Sequence, residues 1–293
     1  MGIIKNHASE IMKGKICMIT GANSGIGKAT VIGLAKIGAT IVMVCRNKER
    51  GELALQDIKK ACSNGNIDLM LADLSKQKAI HQFVAKFKEK YQSLHVLINN
   101  AGVNLSKRVL TEDGIETTLA VNYLAPFLLC NLLLDTLQES KPSRIVNVAS
   151  SVQARKFKFD NLNGEKHYHQ LQAYSQSKLA VILFTYEFAR RIEGMGVTVN
   201  CLHPGYVKTN MVKNYRKFVK YFFPFIGLFM ASPKKGAKTS IYLASSPEVE
   251  GVSGKYFVKR KEAKSVKSSY DEELAKRLWD ISISLTNLDD STL

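Results

Sequence analysis

Residues 20–27 read Thr20-Gly21-Ala22-Asn23-Ser24-Gly25-Ile26-Gly27, and this stretch decides the fold. A short apolar run precedes it and an amphipathic pattern follows it, which predicts a turn from a strand into a helix. Glycines there let the backbone approach a pyrophosphate, and the helix N-terminus offers free N–H groups and a positive dipole end. Ordinary tight turns also need glycine, but this position favours a dinucleotide site. The cofactor-binding residues that it predicts are Gly21, Asn23, Ser24, Gly25, Ile26 and Gly27.

Outward from this turn, strand-like and helical patterns alternate along the chain. The strands are short and continuously apolar, as expected when helices cover both faces of a sheet. We predict them at 15–20, 40–45, 67–72, 95–99, 144–149, 198–202 and 255–258. We predict helices at 25–37, 48–61, 76–91, 115–139 and 173–193, one that begins after Ser232 as N-cap with Pro233 in its first turn, and one at 271–284. Repeated units of this kind build an α/β fold, a single doubly wound domain with a seven-stranded, mainly parallel sheet.

The chain shows no Pro/Gly-rich linker and no internal repeat, so we expect one domain over residues 1–293. Its core would span 13–260, and a terminal helix and tail would follow at 265–293. The stretch 207–231 contains a cluster of aromatic residues and would cover the substrate as a lid. Such a lid favours a bulky apolar carbonyl compound, although an ordinary buried helix has the same composition.

The composition excludes a disordered chain, because 45% of the 293 residues are hydrophobic and only 23% are charged. The formal net charge is +17, and the basic residues concentrate late in the chain. Such a charge suits an anionic ligand, an anionic membrane, nucleic acid or simply a solvated lysine-rich surface. No nucleic-acid recognition motif accompanies it, so we expect no nucleic-acid partner. Lysines beside the aromatic residues of the lid would suit weak, peripheral membrane contact.

Five cysteines without a C-x-x-C spacing predict reduced, mostly buried thiols, and we expect no metal site. The first fourteen residues mix charged and apolar side chains and contain no hydrophobic signal region. The longest apolar run, Tyr221 to Ala231, has eleven residues, where a membrane span needs about 20. We therefore expect a cytoplasmic protein that can attach weakly and peripherally to a membrane surface.

The end of the second strand should select the cofactor. Cys45 and Arg46 stand where NAD-binding proteins of this fold carry a carboxylate for the ribose hydroxyls. A guanidinium can instead bind a 2′-phosphate with two hydrogen bonds, which predicts NADP(H). The alternative for Arg46 is an ordinary surface charge.

The ends of the next two strands carry further candidates for cofactor binding. Asp73, followed by Leu74, could accept a hydrogen bond from an adenine amino group, or it could cap the helix that begins near Lys76. The small residues after the fourth strand would leave room for a flat ring at the carboxyl edge of the sheet. They are Asn100, Ala101 and Gly102.

Tyr174 and Lys178 are spaced i, i+4 at the start of a helix, so they share one face. A phenol with a pKa near 10 is a poor acid–base group at neutral pH, but a neighbouring ammonium favours the phenolate and lowers that pKa. Ser150 and Ser151 follow the fifth strand, so a hydroxyl can reach the same edge. A Tyr-x-x-x-Lys pair alone often occurs by chance, but here it follows the glycine turn in the same chain, which favours a functional pair.

Taken together, these motifs resemble the short-chain dehydrogenases/reductases. The set T-G-x-x-x-G-x-G, N-N-A-G, an Asn in the helix before the fifth strand, S-S, Y-x-x-x-K and P-G occurs in family order over residues 13–260. The resemblance implies a Rossmann-type fold. Finer features are similar to the retinol dehydrogenase branch, among them Cys45-Arg46-Asn47, His203-Pro204-Gly205 and the spacing of 23 positions from Ser151 to Tyr174.

The resemblance also implies a role for each matching residue. Tyr174 would be the general acid in reduction and the base in oxidation, and Lys178 would lower its pKa and hold the nicotinamide ribose. Ser151, rather than Ser150, would hydrogen-bond the substrate oxygen, and Asn122 would hold a water that links Lys178 to solvent. The residues expected beside the nicotinamide are Pro204, Gly205, Val207 and Thr209.

The function expected from this resemblance is NADP(H)-dependent interconversion of an alcohol and an aldehyde or ketone. The substrate would be a small-molecule carbonyl or alcohol compound of apolar, retinoid-like or long-chain character. One alternative is an NADPH-dependent reductase of C=C bonds, and another is a non-catalytic protein that senses a dinucleotide. A homodimer is one assembly that the sequence allows.

Overall fold

The structure, a computed structural model, describes residues 11–62, 66–207 and 231–288. Eight strands form one sheet in the order β3-β2-β1-β4-β5-β6-β7-β8. The strands are β1 Ile16–Thr20, β2 Thr40–Cys45, β3 Ile67–Leu71, β4 Val96–Asn99, β5 Ser143–Val148, β6 Val197–His203, β7 Tyr256–Val258 and β8 Lys261–Glu262. Strands β1 to β7 run parallel to one another, which confirms the predicted single doubly wound α/β domain.

The strand order reverses between β1 and β4, and this reversal positions the site. From β1 the chain proceeds outward to β2 and β3 and then returns to β4 on the other side. The connections on the two sides of β1 therefore diverge, which opens a crevice beyond the carboxyl ends of these strands, the usual binding place in such sheets. The glycine turn of residues 20–27 follows β1 at this crevice.

Helices cover both faces of the sheet. They are α1 Gly25–Ala35, α2 Lys48–Ala61, α3 Gln77–Lys90, α4 Thr117–Leu119, α5 Ala125–Leu132, α6 Leu134–Glu139, α7 Gln170–Arg191, α8 Pro233–Ser245 and α9 Glu272–Thr286. Ser232 caps α8 as predicted, since its side chain accepts from the Lys235 N–H and Pro233 occupies the first turn. A π-helical turn, Ala120–Leu124, joins α4 to α5.

The prediction of one continuous helix over 115–139 is wrong. The Ala125 N–H donates to the carbonyl of Ala120, an i+5 bond that widens the helix at this turn. Pro126 follows in the first turn of α5 and has no N–H, so it cannot continue the i+4 pattern. The helix breaks a second time at Leu133, where α5 ends and α6 begins.

The predicted sheet of seven strands lacked β8, which pairs antiparallel with β7. The two residues between these strands, Lys259 and Arg260, both have positive φ, at 51° and 66°. Tight hairpin turns of this type usually contain Asn or Gly, because long side chains disfavour the left-handed region. The sequence therefore carries no recognisable hairpin signal at this point.

The buried core forms a separate apolar cluster on each face of the sheet. On one face it includes Phe127, Phe184, Phe188 and Trp279, which brings α5, α7 and α9 together. On the other face it includes Val31 and Leu243, because α1 packs against α8 there. All five cysteines are buried, as predicted, and none forms a disulfide in the structure.

Two predicted features lie outside the described residues. Most of the predicted lid, residues 208–230, falls there, as does Thr209, which was expected near the nicotinamide amide. The last residues of the predicted tail, 289–293, also fall there. Within the described part of the chain, no helix combines the length and the apolar composition that a membrane span requires.

Candidate active site

The glycine turn brings the end of β1 close to the start of α1. Gly21 has φ of +64° and Gly25 has φ of +55°, a backbone conformation that residues with a Cβ rarely adopt. A Cβ on Gly27 would lie 2.3 Å from the Gly21 carbonyl oxygen, so only glycine allows this approach. Ser24 is the N-cap of α1, and its side chain accepts no capping hydrogen bond. The N–H groups of the first turn therefore face the crevice without a side-chain cap from Ser24.

The loop after β4 closes against this turn. The Asn100 Nδ2 donates to the Thr20 carbonyl oxygen at 2.8 Å, and the Thr20 Oγ1 accepts from the N–H groups of Asn100 and Ala101 at 2.9 and 3.0 Å. A Cβ on Gly21 would lie 2.9 Å from the Ala101 Cα, so the two loops are in direct contact. These bonds fix the small residues 100–102 beside the glycine turn.

A cavity of about 460 Å³ opens above these two loops. It gathers most of the residues predicted to hold the cofactor. Its lining consists of Gly21, Asn23, Ser24, Gly25, Ile26, Gly27, Val44, Cys45, Arg46, Ala72, Asp73, Leu74, Asn100, Ala101, Gly102, Val103, Asn104, Leu105 and Val121. A dinucleotide fits this donor set, because an uncapped helix N-terminus suits a pyrophosphate and the close glycine contacts leave the backbone open to it.

Arg46 is exposed and lies at the edge of this cavity, directly after the last residue of β2. The neighbouring Cys45 is buried, and burial raises the pKa of its thiol to about 11, so the thiol carries no negative charge at pH 7. The charge that this end of β2 presents to the cavity is therefore positive.

Asp73 lines the same cavity, and the structure bears on its two predicted roles. Its Oδ1 accepts from the N–H and the hydroxyl of Ser75, at 3.1 and 2.7 Å. The N-cap of α3 is Lys76, and the side chain that accepts from the Gln77 N–H belongs to Asp113. The capping role predicted for Asp73 is therefore wrong, and contact with adenine stays a prediction.

Tyr174 and Lys178 lie together on α7, as their spacing predicts. The Lys178 Nζ is 5.8 Å from the centroid of the Tyr174 ring, and it donates to the Val148 carbonyl oxygen at 2.8 Å. A second bond, from the Ala154 N–H to the Ser175 carbonyl oxygen at 3.1 Å, joins α7 to the segment after Ser151. The phenol, the ammonium and the end of β5 are thus held at the same edge of the sheet.

Lys178 is only 4% exposed. Burial disfavours its charged form and lowers its pKa from 10.5 to about 8. The side chain is therefore mostly a cation at neutral pH and lies close to its titration point. A cation held beside a phenol is the arrangement that lowers the pKa of a tyrosine towards neutrality.

Asn122 lies in the π-helical turn and is 1% exposed. Its side chain accepts from the Val103 N–H at 2.7 Å and donates to the Val103 carbonyl oxygen and to the Ser177 Oγ, both at 3.0 Å. It therefore connects the loop after β4 to α7 beside Lys178. Since Pro126 has no N–H, the Asn122 main-chain carbonyl also lacks the i+4 donor of a regular helix.

The two serines after β5 have different surroundings. Ser150 is 6% exposed, and its hydroxyl accepts from the Val152 N–H at 3.0 Å, which is a local hydrogen bond within the turn after β5. Ser151 is exposed and lines a second cavity, of about 1020 Å³, beyond the end of β5. Pro204 and Gly205 line this second cavity too. Ser151 is therefore the serine whose hydroxyl a ligand can reach. Val207, also predicted beside the nicotinamide, is buried and is the last described residue before the gap at 208–230.

Two neighbours of Ser151 were not predicted as site residues. The Nδ1 of His203 accepts from the Ser151 N–H at 3.1 Å, and the Tyr206 Oη accepts from the Ser151 Oγ at 3.3 Å. Both side chains come from the end of β6 and the loop after it. His203 belongs to a motif that the sequence displays, but an ordinary tyrosine such as Tyr206 gives no signal without the fold.

Comparison with known proteins agrees with this arrangement. The short chain dehydrogenase family matches residues 15–220. Retinol dehydrogenase 14 of Homo sapiens is 44% identical over 289 residues, which cover 93% of this chain and 86% of that protein. Retinol dehydrogenase 13 and retinol dehydrogenase 11 of Homo sapiens are each 42% identical, and each match covers 94% of this chain, with 86% and 87% of the respective relative.

Solved structures share the fold. A crystal structure of a protein from Mycobacterium paratuberculosis superposes with a TM-score of 0.76 at 29% identity, covering 94% of this chain and 95% of the other. A structure from Beutenbergia cavernae, described as an NAD(P) dependent gluconate 5-dehydrogenase with bound NADP at low occupancy, gives 0.69 at 25% identity, covering 85% and 96%. The chain therefore belongs to the short chain dehydrogenase family, in the branch that contains the retinol dehydrogenases.

Proposed function

We propose that the chain is an NADP(H)-dependent oxidoreductase that interconverts an alcohol and an aldehyde or ketone. The observation that carries this proposal is the buried ammonium of Lys178, 5.8 Å from the centre of the Tyr174 ring, at the sheet edge where the glycine turn lies. Burying a cation lowers the stability of the fold, so folding alone does not explain why a lysine lies buried next to this phenol. Its value lies in the acid–base chemistry of the neighbouring tyrosine.

The proposed chemistry assigns one task to each side chain. In reduction, the Tyr174 hydroxyl gives its proton to the carbonyl oxygen of the substrate, and in oxidation the phenolate takes it back. The Lys178 cation stabilises that phenolate, and the Ser151 hydroxyl donates a hydrogen bond to the same substrate oxygen. Asn122 holds the loop after β4 against α7 beside Lys178. The nicotinamide cofactor, when bound, supplies or accepts the hydride.

The preference for NADP(H) is supported by the end of β2. Arg46 offers a guanidinium to a 2′-phosphate, and the neutral Cys45 thiol stands where NAD-binding relatives of this fold carry a carboxylate that would repel it. The Beutenbergia cavernae relative with bound NADP is consistent with this preference. We also propose that Asp73 and Leu74 contact the adenine end, and that Pro204, Gly205, Val207 and Thr209 lie along the nicotinamide.

The proposed substrate is a bulky apolar carbonyl or alcohol compound. Support comes from the retinol dehydrogenases to which the chain is 42–44% identical. The cavity beyond Ser151 has a volume of about 1020 Å³, which exceeds the need of a three-carbon aldehyde. Apolar surface from Pro204, Tyr206, Val258 and Val266 contributes to its lining.

A substrate panel tests this function. NADPH oxidation is followed with propanal, decanal, an aromatic ketone and all-trans retinal, and product analysis separates attack at C=O from attack at C=C. We expect kcat/KM for decanal and retinal to exceed that for propanal, with an alcohol as product. A higher kcat/KM for propanal would contradict the apolar substrate, and a saturated aldehyde as product would favour a C=C reductase instead.

We also propose that the protein is cytoplasmic and can attach peripherally to an anionic membrane. Support for the location is that all five cysteines are buried thiols without a disulfide. Support for the attachment is the set of exposed cations around the 1020 Å³ cavity, which lacks a carboxylate in its described lining. These cations are Arg155, Lys235, Lys238, Lys259, Arg260 and Lys264.

Vesicle sedimentation tests the attachment. Each cation near an anionic surface contributes about 1 kcal/mol, so the double reversal Lys259→Glu/Arg260→Glu should weaken binding to phosphatidylserine vesicles at least tenfold at low salt. The control is Lys59→Glu/Lys60→Glu, which reverses two exposed charges at the end of α2. Equal binding by both variants, or no binding by the wild type at low salt, would contradict this attachment.

A further inference from the structure

The hydroxyl of Ser151 is held by a residue that the family motifs do not include. In the structure the Ser151 Oγ donates to the Tyr206 Oη at 3.3 Å. A serine hydroxyl has a single proton and two acceptor lone pairs. As long as that proton points at Tyr206, Ser151 cannot donate it to a substrate.

The main chain of Ser151 is held from the same loop. The Ser151 N–H donates to the His203 Nδ1 at 3.1 Å, and the His203 and Tyr206 rings pack edge to face with their centroids 5.5 Å apart. His203 is buried, and burial lowers its pKa, so the imidazole is neutral at pH 7 and keeps its proton on Nε2. Ser151 is therefore fixed at its backbone by His203 while its hydroxyl remains able to turn.

We propose that Tyr206 is a positioning residue that sets the direction of the Ser151 hydroxyl. This inference rests on the proposed carbonyl chemistry of the site. When a substrate oxygen arrives, the Ser151 proton turns to it, and the Tyr206 hydroxyl then donates to the Ser151 Oγ. The resulting chain of hydrogen bonds runs from Tyr206 through Ser151 to the substrate oxygen, and each bond strengthens the next. No covalent bond changes in this step.

The chain matters most when the substrate oxygen gains negative charge during reduction. A serine that also accepts a hydrogen bond is a stronger donor, so Tyr206 stabilises the transition state more than the bound substrate. Loss of its hydroxyl should therefore lower kcat and leave KM nearly unchanged. Tyr206 is 67% exposed, so its hydroxyl contributes little to folding.

The variant Tyr206→Phe tests this role, with Tyr270→Phe as the matched control. Tyr270 is 52% exposed and lies in a different cavity, between the ends of α7 and α9. We expect Tyr206→Phe to lower kcat for decanal about tenfold, while KM, the thermal midpoint and the NADPH dissociation constant measured by fluorescence stay at wild-type values. Tyr270→Phe should leave kcat, KM and the NADPH dissociation constant at wild-type values, and only its thermal midpoint should fall slightly, because the Tyr270 Oη accepts from the Ser265 N–H at 3.1 Å.

A double-mutant cycle separates action through Ser151 from direct contact with the substrate. If Tyr206 acts through the serine hydroxyl, Tyr206→Phe should have no further effect on kcat in a Ser151→Ala background. An equal loss in both backgrounds would overturn the proposal, as would a wild-type kcat for Tyr206→Phe alone.

Tyr174→Phe, measured in parallel, distinguishes this proposal from the proposed function. Loss of turnover in Tyr174→Phe with wild-type turnover in Tyr206→Phe would contradict only the role of Tyr206. Wild-type turnover in both variants would contradict both the proton donor and the positioning role.

Discussion

At the scale of single residues, the surroundings of each side chain set what it can do. Lys178 illustrates this, because it is buried among the core residues of α7 and still faces a phenol. Its burial is unfavourable for folding and suits the acid–base role that we propose for it, a conflict that is typical of functional sites.

The variant Lys178→Met should be more stable than the wild type at pH 7. The folded-state pKa of Lys178 is about 8 against the usual 10.5, so at pH 7 both states are protonated and the folded state carries the whole unfavourable charge burial. That difference corresponds to about 3 kcal/mol, and loss of the bond to the Val148 carbonyl offsets part of it. We expect the free energy of unfolding without cofactor to rise by about 1–3 kcal/mol.

The extra stability of Lys178→Met over the wild type should decrease between pH 8 and pH 10.5. In that range the folded protein has released the Lys178 proton and the unfolded chain still binds it, so the wild type becomes relatively more stable as pH rises. Urea unfolding of both proteins at pH 7 and pH 9.5 measures the difference. A variant that is less stable than the wild type at pH 7 would show that the buried charge is not unfavourable.

The variant Arg46→Ala should lose affinity for NADPH far more than for NADH. A charge-assisted contact with the 2′-phosphate is worth roughly 1.5–3 kcal/mol, which corresponds to about 10–150-fold in the dissociation constant. Arg50→Ala is the control, because Arg50 is also exposed, lies in the first turn of α2 and does not line the 460 Å³ cavity. Equal losses for NADPH and NADH, measured by fluorescence titration, would contradict the proposed preference.

At the scale of the elements, the site depends on how closely β1, α1 and the loop after β4 approach one another. In Gly27→Ala the new Cβ would lie 2.3 Å from the Gly21 carbonyl oxygen and 2.6 Å from the Asn100 Nδ2, so α1 must move. We expect this overpacking to lower the free energy of unfolding by about 1–3 kcal/mol and to raise the NADPH dissociation constant at least tenfold.

Gly51→Ala in α2 is the matched control for this helix glycine. There the new Cβ would meet only the Leu69 side chain, at 2.9 Å, which can change rotamer, and the helix gains about 1 kcal/mol of propensity. Thermal unfolding and NADPH titration compare the two variants. Wild-type NADPH affinity in Gly27→Ala would show that the close approach is not what forms the cofactor cavity.

The sequence predicts an element well when the residues that determine it are close together in the chain. Buried parallel strands are continuous apolar runs, so β2 was predicted at its observed bounds and the other six strands to within about a residue at each end. The break around Asn122 was not predicted, because Pro126 is tolerated in a first helical turn and only the fold shows where that turn begins. Strand β8 was missed because Lys259-Arg260 is an unusual turn.

The same distinction applies to the residues of the candidate site. Residues that follow strand ends or share a helix face could be predicted, because β-α alternation places all strand ends at one edge. Tyr206 contacts Ser151, and Ser177 contacts Asn122, because the fold packs together segments that are distant in sequence. No local pattern marks such contacts, so the sequence alone could not identify them.

At the scale of the whole molecule, the terminal helix contributes to the buried core and not to the lining of the 460 Å³ cavity. Helix α9 packs its Trp279 ring against Phe127, Phe184 and Phe188, with ring centroids 5.0–6.1 Å apart, and the Arg191 guanidinium lies 4.1 Å from it. Trp279 lines no part of the cofactor cavity. Stability and cofactor binding should therefore respond separately to changes there.

The variant Trp279→Ala should lower the free energy of unfolding by about 3–5 kcal/mol, because it leaves a large void in a fully buried cluster. The NADPH dissociation constant should stay at its wild-type value below the unfolding transition. Leu53→Ala, in which the replaced side chain is 63% exposed, should change stability by less than about 0.5 kcal/mol. Urea unfolding measures all three proteins, and a loss below 1 kcal/mol for Trp279→Ala would contradict the docking of α9.

The most direct test of the account is the turnover of Tyr174→Phe with NADPH and decanal, followed at the absorbance of the cofactor. Phenylalanine keeps the ring beside Lys178 and removes only the hydroxyl whose proton the substrate would receive. If Tyr174 is the proton donor, kcat should fall at least about a hundredfold while the NADPH dissociation constant stays at its wild-type value. A kcat within a few-fold of the wild type would contradict the central claim.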